Sequence, residues 1–190
     1  MNGVTMKKIP DAQLRVALLR GINVGGNKKV PMAELRELAA GLGWQRAETY
    51  IQSGNLVFAA NGGDAEAEQA LEGAIAAHFG FVVPVVVRSV AAWRAYAAAS
   101  PFPEAASARP NLLHLGLSKR RPQTGAADAL AKYATSGEGI EIQGDAVWID
   151  YAGGVARSKL TPAVLDRAIG SSVTMRNWKT VQQLAAMLGA

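Results

Sequence analysis

Between residues 20 and 31 the chain reads Arg-Gly-Ile-Asn-Val-Gly-Gly-Asn-Lys-Lys-Val-Pro. Three glycines, two asparagines and three cations separate an apolar run, Val16-Ala17-Leu18-Leu19, from an amphipathic one, Met32 to Leu42. A strand, a glycine-rich turn and a helix follow from that order. In such a turn glycine tolerates positive φ and lets backbone N–H groups converge on an anion. Pro31 suits the first position of the helix. Lys28 and Lys29 lie just before it, where the helix dipole opposes positive charge unless something negative sits nearby.

The rest of the first half extends this start. Arg15 to Arg20 is expected as a strand. Met32 to Leu42 is expected as a helix that buries Met32, Leu35, Leu38, Ala39 and Leu42 and stops at Gly43. Residues 48–51 and 56–60 form a hairpin around Gln52-Ser53-Gly54-Asn55. Asp64 to Phe79 reads as a helix with acids in its first turn, and Val82 to Arg88 as a strand that tolerates Pro84 near an edge. The order β-α-β-β-α-β is the split arrangement of ferredoxin-like folds. It puts the first strand beside the third, with the Arg20 end and the hairpin turn at opposite ends of that pair unless the loops fold over, so whether the two meet stays open.

The second half repeats the order without repeating the sequence. It has strands at 112–117, 139–142, 147–151 and 173–175, and helices at 126–133, from Thr161-Pro162 to before Gly170, and at 177–188. The expected fold is α+β, two ferredoxin-like (split βαβ) units with antiparallel sheets and helices packed on them. The units span 13–88 and 111–190, joined through 89–110 by a connector helix and a Pro-rich loop. Residues 1–13 read as a loose arm that buries little.

Composition narrows the chemistry. With no cysteine and two histidines, His78 and His114, the 190 residues offer no disulfide framework, no thiol nucleophile and no Cys- or His-rich metal site. No cofactor is implied. The longest uncharged run, Gly73 to Val87, is too short for a bilayer, and no signal-peptide core forms, so a soluble cytoplasmic protein is expected. A net charge of +5 is mild and spread over both halves. It leaves open a phosphate-bearing small molecule or a nucleic acid as partner, and leaves the oligomeric state open.

The first loop comes close to a phosphate-binding P-loop, with Gly21 and Gly26 correctly separated. Asn27 stands where the lysine should be and Lys28 where the Mg²⁺-holding hydroxyl should be, so NTP hydrolysis of that kind is not expected. Gly21, Gly25 and Gly26 also miss the dinucleotide spacing. Two further runs place cations before a helix: Arg157-Ser158-Lys159 ahead of Thr161-Pro162, and Met175-Arg176-Asn177-Trp178-Lys179 at the last helix. Ser118 to Arg121 precedes another. Repeated cations at disfavoured helix starts suggest anion recruitment. A Ser158–Lys159 catalytic pair lacks any oxyanion arrangement. His114 reads as a core histidine, Asp150 as a cap or ion-pair partner, and Trp44, Trp93, Trp148 and Trp178 as packing residues. The RNP1 pattern of RNA-recognition motifs is missing.

Residues 17–27 (Ala-Leu-Leu-Arg-Gly-Ile-Asn-Val-Gly-Gly-Asn), 49–55 (Thr-Tyr-Ile-Gln-Ser-Gly-Asn), Ser158-Lys159-Leu160 and Arg176-Asn177-Trp178 resemble the domain of unknown function 1697 family of bacterial proteins. The resemblance runs from Arg15 to the C-terminus. It implies an α+β fold of ferredoxin-like units and brings no activity, substrate or catalytic residue.

The candidate ligand-binding residues are Arg20, Asn23, Gly25, Gly26, Asn27, Lys28, Lys29, Gln52, Ser53, Asn55, Ser158, Lys159, Arg176 and Asn177. The first reading is a binding protein for a phosphate-bearing ligand, either a nucleotide or a nucleic-acid backbone. The alternatives are an enzyme acting on a small phosphorylated or carboxylated metabolite, and an interaction module without a ligand. A deep pocket joining the first loop to Arg176 would favour a small ligand, and a flat basic face would favour nucleic acid.

Overall fold

The computed structural model of the chain describes residues 9–189. Strands β1 (Leu14–Leu19), β2 (Gln45–Tyr50), β3 (Asn55–Ala59) and β4 (Val85–Ser89) form one antiparallel sheet in the order β2-β3-β1-β4, backed by α1 (Met32–Gly41) and α2 (Asp64–Phe79). Strands β5 (Leu113–Leu117), β6 (Gly139–Gln143), β7 (Ala146–Asp150) and β8 (Thr174–Asn177) form a second in the order β6-β7-β5-β8, with α5 (Ala126–Ala131) and α6 (Pro162–Ile169). Each half thus has its first strand beside its third. Helices α3 (Val90–Ala98) and α7 (Trp178–Leu188) each follow the last strand of a sheet, and α4 (Pro103–Ala108) lies between the halves. The fold is α+β.

Alternation along the central strands creates three cores. On β1, Ala17 and Leu19 face α1 and α2 with Leu35, Phe58, Leu71 and Ile75. Val16 and Leu18 turn to a central core shared with Leu113, Leu115, Trp93, Trp148, Val181 and Leu184. A third core, under α5 and α6, holds Val147, Ile149, Leu165 and Ile169. The two sheets therefore bury their inner faces in one common core, with α3 and α7 packed into it.

Local chemistry sets the boundaries. Glu66 accepts from Gly63 N–H at the start of α2, Thr161 Oγ1 from Val164 at α6, and Asn177 Oδ1 from Thr180 at α7. Gly80, Gly170 and Gly189 end α2, α6 and α7 in the left-handed conformation.

Several expectations change. Pro31 caps α1 from outside it, and Leu38 and Leu42 are only half-buried. The connector contains α4, which Pro103 opens. Pro84 precedes β4, where its carbonyl accepts from Arg20 N–H at 3.0 Å. The run Ser118 to Arg121 ends well short of α5. Of the expected loose arm, residues 1–8 lie outside the described residues. Beyond them Ile9 packs on the central core and Asp11 pairs with Arg94 at 2.5 Å, so its end docks.

Candidate functional site

The first loop closes on itself. Asn23, at φ 55°, donates from Nδ2 to the carbonyls of Val30 (3.0 Å) and Gln52 (2.8 Å), while its Oδ1 accepts from Val30 N–H (2.9 Å). Asparagine is among the few residues that tolerate this backbone region. Lys28, at φ 46°, sends its ammonium to the Val82 carbonyl at 2.8 Å. Gly25, Gly26, Asn27 and Lys29 are exposed, and Val24 at the tip is 70% exposed.

Loop and hairpin turn meet, which the sequence left open, and they do so at the same end of the strand pair. Leu18 pairs with Asn55, because antiparallel strands place the C-terminal end of β1 beside the N-terminal end of β3. Leu19 N–H donates to the Gly54 carbonyl at 2.8 Å. Gly54 has φ 77°, and a Cβ there would stand 2.7 Å from both Leu19 Cβ and Ile22 Cδ1. Only glycine lets the turn come this close.

Arg176 joins them from the second half. It is expected as an exposed cation at a helix start, but it lies on β8, buried, with its side chain turned into the first half. Its guanidinium donates to Asn55 Oδ1, to the carbonyls of Leu19 (2.8 Å), Ser53 (2.9 Å) and Gly54 (3.1 Å), and to its own neighbour Met175 (2.8 Å). Asn55 is fully buried and is itself held by Tyr50 O and Ser53 Oγ. Among the described residues no carboxylate pairs with Arg176, and burial pushes its pKa down to about 10. All three guanidinium nitrogens have acceptors, three of the five crowding on Nη2, so Arg176 is a joint between the halves.

A counterpart reaches the other way. Arg88 on β4, like Arg176 on β8, immediately precedes the cap residue of the helix after its sheet. It donates to Asp145 Oδ2 in the β6–β7 turn (2.8 Å) and to the Ser118 carbonyl at the end of β5 (2.6 Å). Tyr96 adds its hydroxyl to Asp145 at 2.7 Å, and its pKa rises through burial and that carboxylate. Each half thus sends an arginine to the hairpin turn and first-strand end of the other.

The same approximate twofold relation generates two clefts. One, of about 380 Å³, lies between Arg20, Gly21 and Val24 of the first loop, Pro162 and Leu165 of α6, and Val173 to Arg176. Arg20, which lines it, bonds Asp166 Oδ2 of α6 from Nη2 at 2.8 Å, and Asp166 Oδ1 accepts from Val173 N–H at 2.9 Å. The other, of about 370 Å³, lies between Lys119 and Arg120 after β5, Glu72 of α2, and the start of β4. There Lys119 pairs with Glu72 at 2.6 Å, and Glu72 accepts from Val85 N–H at 2.9 Å. Glu68, raised in pKa by burial, sits 4.0 Å from the same Lys119 and accepts from Val87 N–H.

The remaining candidates stand apart. Ser158 donates to Glu138 Oε1 and Lys159 is exposed. Gln52 and Ser53 are exposed in the turn, and Asn177 caps α7. Asp150 pairs with Arg109, and His114, lowered in pKa by burial, lies edge-on to Tyr151 at 5.1 Å. Among the described residues no cluster of three or more His, Asp or Glu could hold a metal ion, and no helix is long and apolar enough to cross a membrane.

Sequence reasoning did not find Arg88, Asp145, Asp166 or Thr174. The available signal was positional, since Arg88-Ser89 and Arg176-Asn177 both stand between a strand and a helix.

Residues 13–148 match the family model described as a protein of unknown function, DUF1697. The chain belongs to this family. The match stops before Ser158 and Arg176, so the resemblance extending to the C-terminus goes beyond the matched span. Among solved structures, the conserved bacterial protein SP0830 from Streptococcus pneumoniae is similar, with 25% identity and a TM-score of 0.69, covering 93% of this chain and 98% of that one. A search of the curated proteins finds no match.

Proposed function

We propose that the chain is a binding protein for a phosphate-bearing ligand, taken up in the cleft between the first loop and β8. The carrying observation is that this cleft joins the glycine-rich loop to the Arg176 strand while Arg20 keeps donors in reserve. Only Nη2 of Arg20 has a protein acceptor among the described residues, which leaves Nε and Nη1 to face an oxyanion. Enclosure between two halves favours a small molecule over a nucleic-acid backbone, which would need an open basic face. Thermal-shift measurements with inorganic phosphate, adenosine monophosphate, a sugar phosphate and a short oligonucleotide test the reading. Stabilisation that weakens in high salt is expected, and no shift with any of them would refute it.

One observation favours the interaction module without ligand: Asn23, Lys28, Asn55 and Arg176 spend their polar atoms inside the protein. The same absence of any shift would leave that reading ahead.

A further inference from the structure

Thr174 is the one buried side chain among the described residues whose polar atom has no hydrogen-bond partner. It is 2% exposed and lines the cleft of Arg20. It opens β8 two residues before Arg176, so the two side chains share the face turned to the first half. A buried hydroxyl without a partner is costly and rare.

The matching cleft on the other side serves as an internal control. There the β4 amides of Val85 and Val87 and the ammonium of Lys119 are all taken by Glu68 and Glu72. In the Arg20 cleft a single carboxylate, Asp166, divides itself between Arg20 and Val173 N–H, and the walls are apolar: Val24, Pro162, Leu165 and Met175.

Resting on the function proposed above, we infer that the Arg20 cleft takes a nucleoside-monophosphate-like ligand, a body with a flat ring whose faces can lie on apolar walls, ending in one phosphate. The phosphate accepts from Arg20 and from the Thr174 hydroxyl, and Asp166 is the resident counter-ion it displaces. The donors that remain, guanidinium N–H and hydroxyl, are those an oxyanion requires. The apolar walls account for a body beyond the phosphate. Asp166 holds Arg20 in place in the empty cleft, and its own charge competes with the ligand.

The test uses adenosine monophosphate as probe, with adenosine, inorganic phosphate and a short oligonucleotide as comparison arms. Affinities are measured by titration calorimetry on the full chain and on T174V, D166N and R20M. Wild type should prefer adenosine monophosphate to all three comparison probes. T174V should bind it about tenfold more weakly. Its melting temperature should be unchanged or higher, because an unpartnered hydroxyl has been removed. D166N retains Oδ1 for Val173 N–H while removing the competing charge, so it should bind about fivefold more tightly. R20M should abolish binding.

If no phosphate-bearing probe binds wild type, the proposed function fails and takes this inference with it. If inorganic phosphate or the oligonucleotide binds as well as the mononucleotide, or T174V and D166N match wild type, this inference alone fails. A lowered melting temperature in T174V would also overturn it, since the hydroxyl would then already be partnered in the unliganded protein.

Discussion

Arg88 and Arg176 hold equivalent places in the two halves and cross the same interface in opposite directions, yet their charges are balanced differently. Arg88 meets the carboxylate of Asp145, with Glu68 at 3.9 Å. Arg176 meets only carbonyls and the amide of Asn55. A carboxylate supplies a full counter-charge at one point and tolerates some solvent. A ring of carbonyls supplies partial charges that hold a guanidinium only when all of them are aimed at it. The Arg176 joint therefore demands a shaped partner, which is why the first loop, the Gly54 turn and Asn55 must be arranged together. This accounts for the left-handed Gly54 and the buried Asn55 without any ligand.

The sharpest way to break the comparison is to remove each arginine. Arg176→Ala would leave the Leu19 carbonyl and the Asn55 oxygen buried without this donor, a loss of about 4 kcal/mol that brings the protein close to unfolding. Arg88→Ala should cost about 2 kcal/mol, because Asp145 keeps Tyr96 and retains access to water. Urea denaturation of both variants measures the difference. Equal losses would show that the counter-charge, carboxylate or carbonyl, makes no difference. The reading of Arg176 as a helix-start cation predicts instead a neutral or stabilising change.

A second contrast lies in the helices after these arginines. Trp93 of α3 is fully buried and donates from Nε1 to the Val181 carbonyl at 3.1 Å. Trp178 of α7 is half-buried, 5.7 Å from Trp148. Trp93→Ala should cost about 4 kcal/mol and Trp178→Ala about 2 kcal/mol. The same denaturation measurement ranks them, and a larger loss at Trp178 would place the weight of the central core under α7.

How much of this could be read from the chain depends on the range of the interactions. The apolar run 16–19 and Thr161-Pro162 are local signals; the first placed β1 to within one residue at each end and the second placed the start of α6. The six-residue α4 carries too few turns for a periodic signal, and Pro103 was its only mark. Arg176 misled because its neighbours, Asn177 and Trp178, read as a helix start while its partners lie more than 120 residues away. The approximate twofold relation escaped because geometry repeats where residues do not. Asp166 stands where Glu72 does, Arg20 where Lys119 does, and Asn55 takes the part that Asp145 plays for Arg88. Equivalent hydrogen bonds made from different side chains leave no sequence repeat to find.

His114 offers a smaller, pH-dependent contrast with Glu68. Burial lowers the His114 pKa, so below about pH 6.5 the unfolded chain takes up a proton that the folded imidazole resists. Its contribution is complete above that value and falls as the pH drops below it. Glu68 slopes the other way: its raised pKa makes the folded state the readier acceptor above pH 4.5, so stability rises as the pH falls through that window. Subtracting the pH–stability curve of His114→Gln from that of wild type isolates the histidine. A flat difference between pH 7 and 5 would mean that the folded imidazole protonates as freely as the unfolded one.

The smallest expected effect concerns the two ion pairs at the clefts. Arg20–Asp166 and Lys119–Glu72 are equivalent by position and both partly exposed, with side-chain exposures of 22% and 30% in the first and 38% and 24% in the second. Solvent screens such pairs, and double-mutant cycles should give each a coupling of about 0.5 kcal/mol that shrinks in high salt. The backbone bonds of their acids differ in consequence. β4 and β8 are both sheet edges, but Asp166→Ala frees the N–H of Val173, just before β8, whereas Glu72→Ala frees that of Val85 within β4, where water or another strand can take it. Each single change should therefore cost more than the ion-pair coupling, by about 1 kcal/mol. If Glu72→Ala promotes self-association and Asp166→Ala does not, the carboxylate on β4 guards a sheet edge, and the two clefts have different uses despite their common geometry.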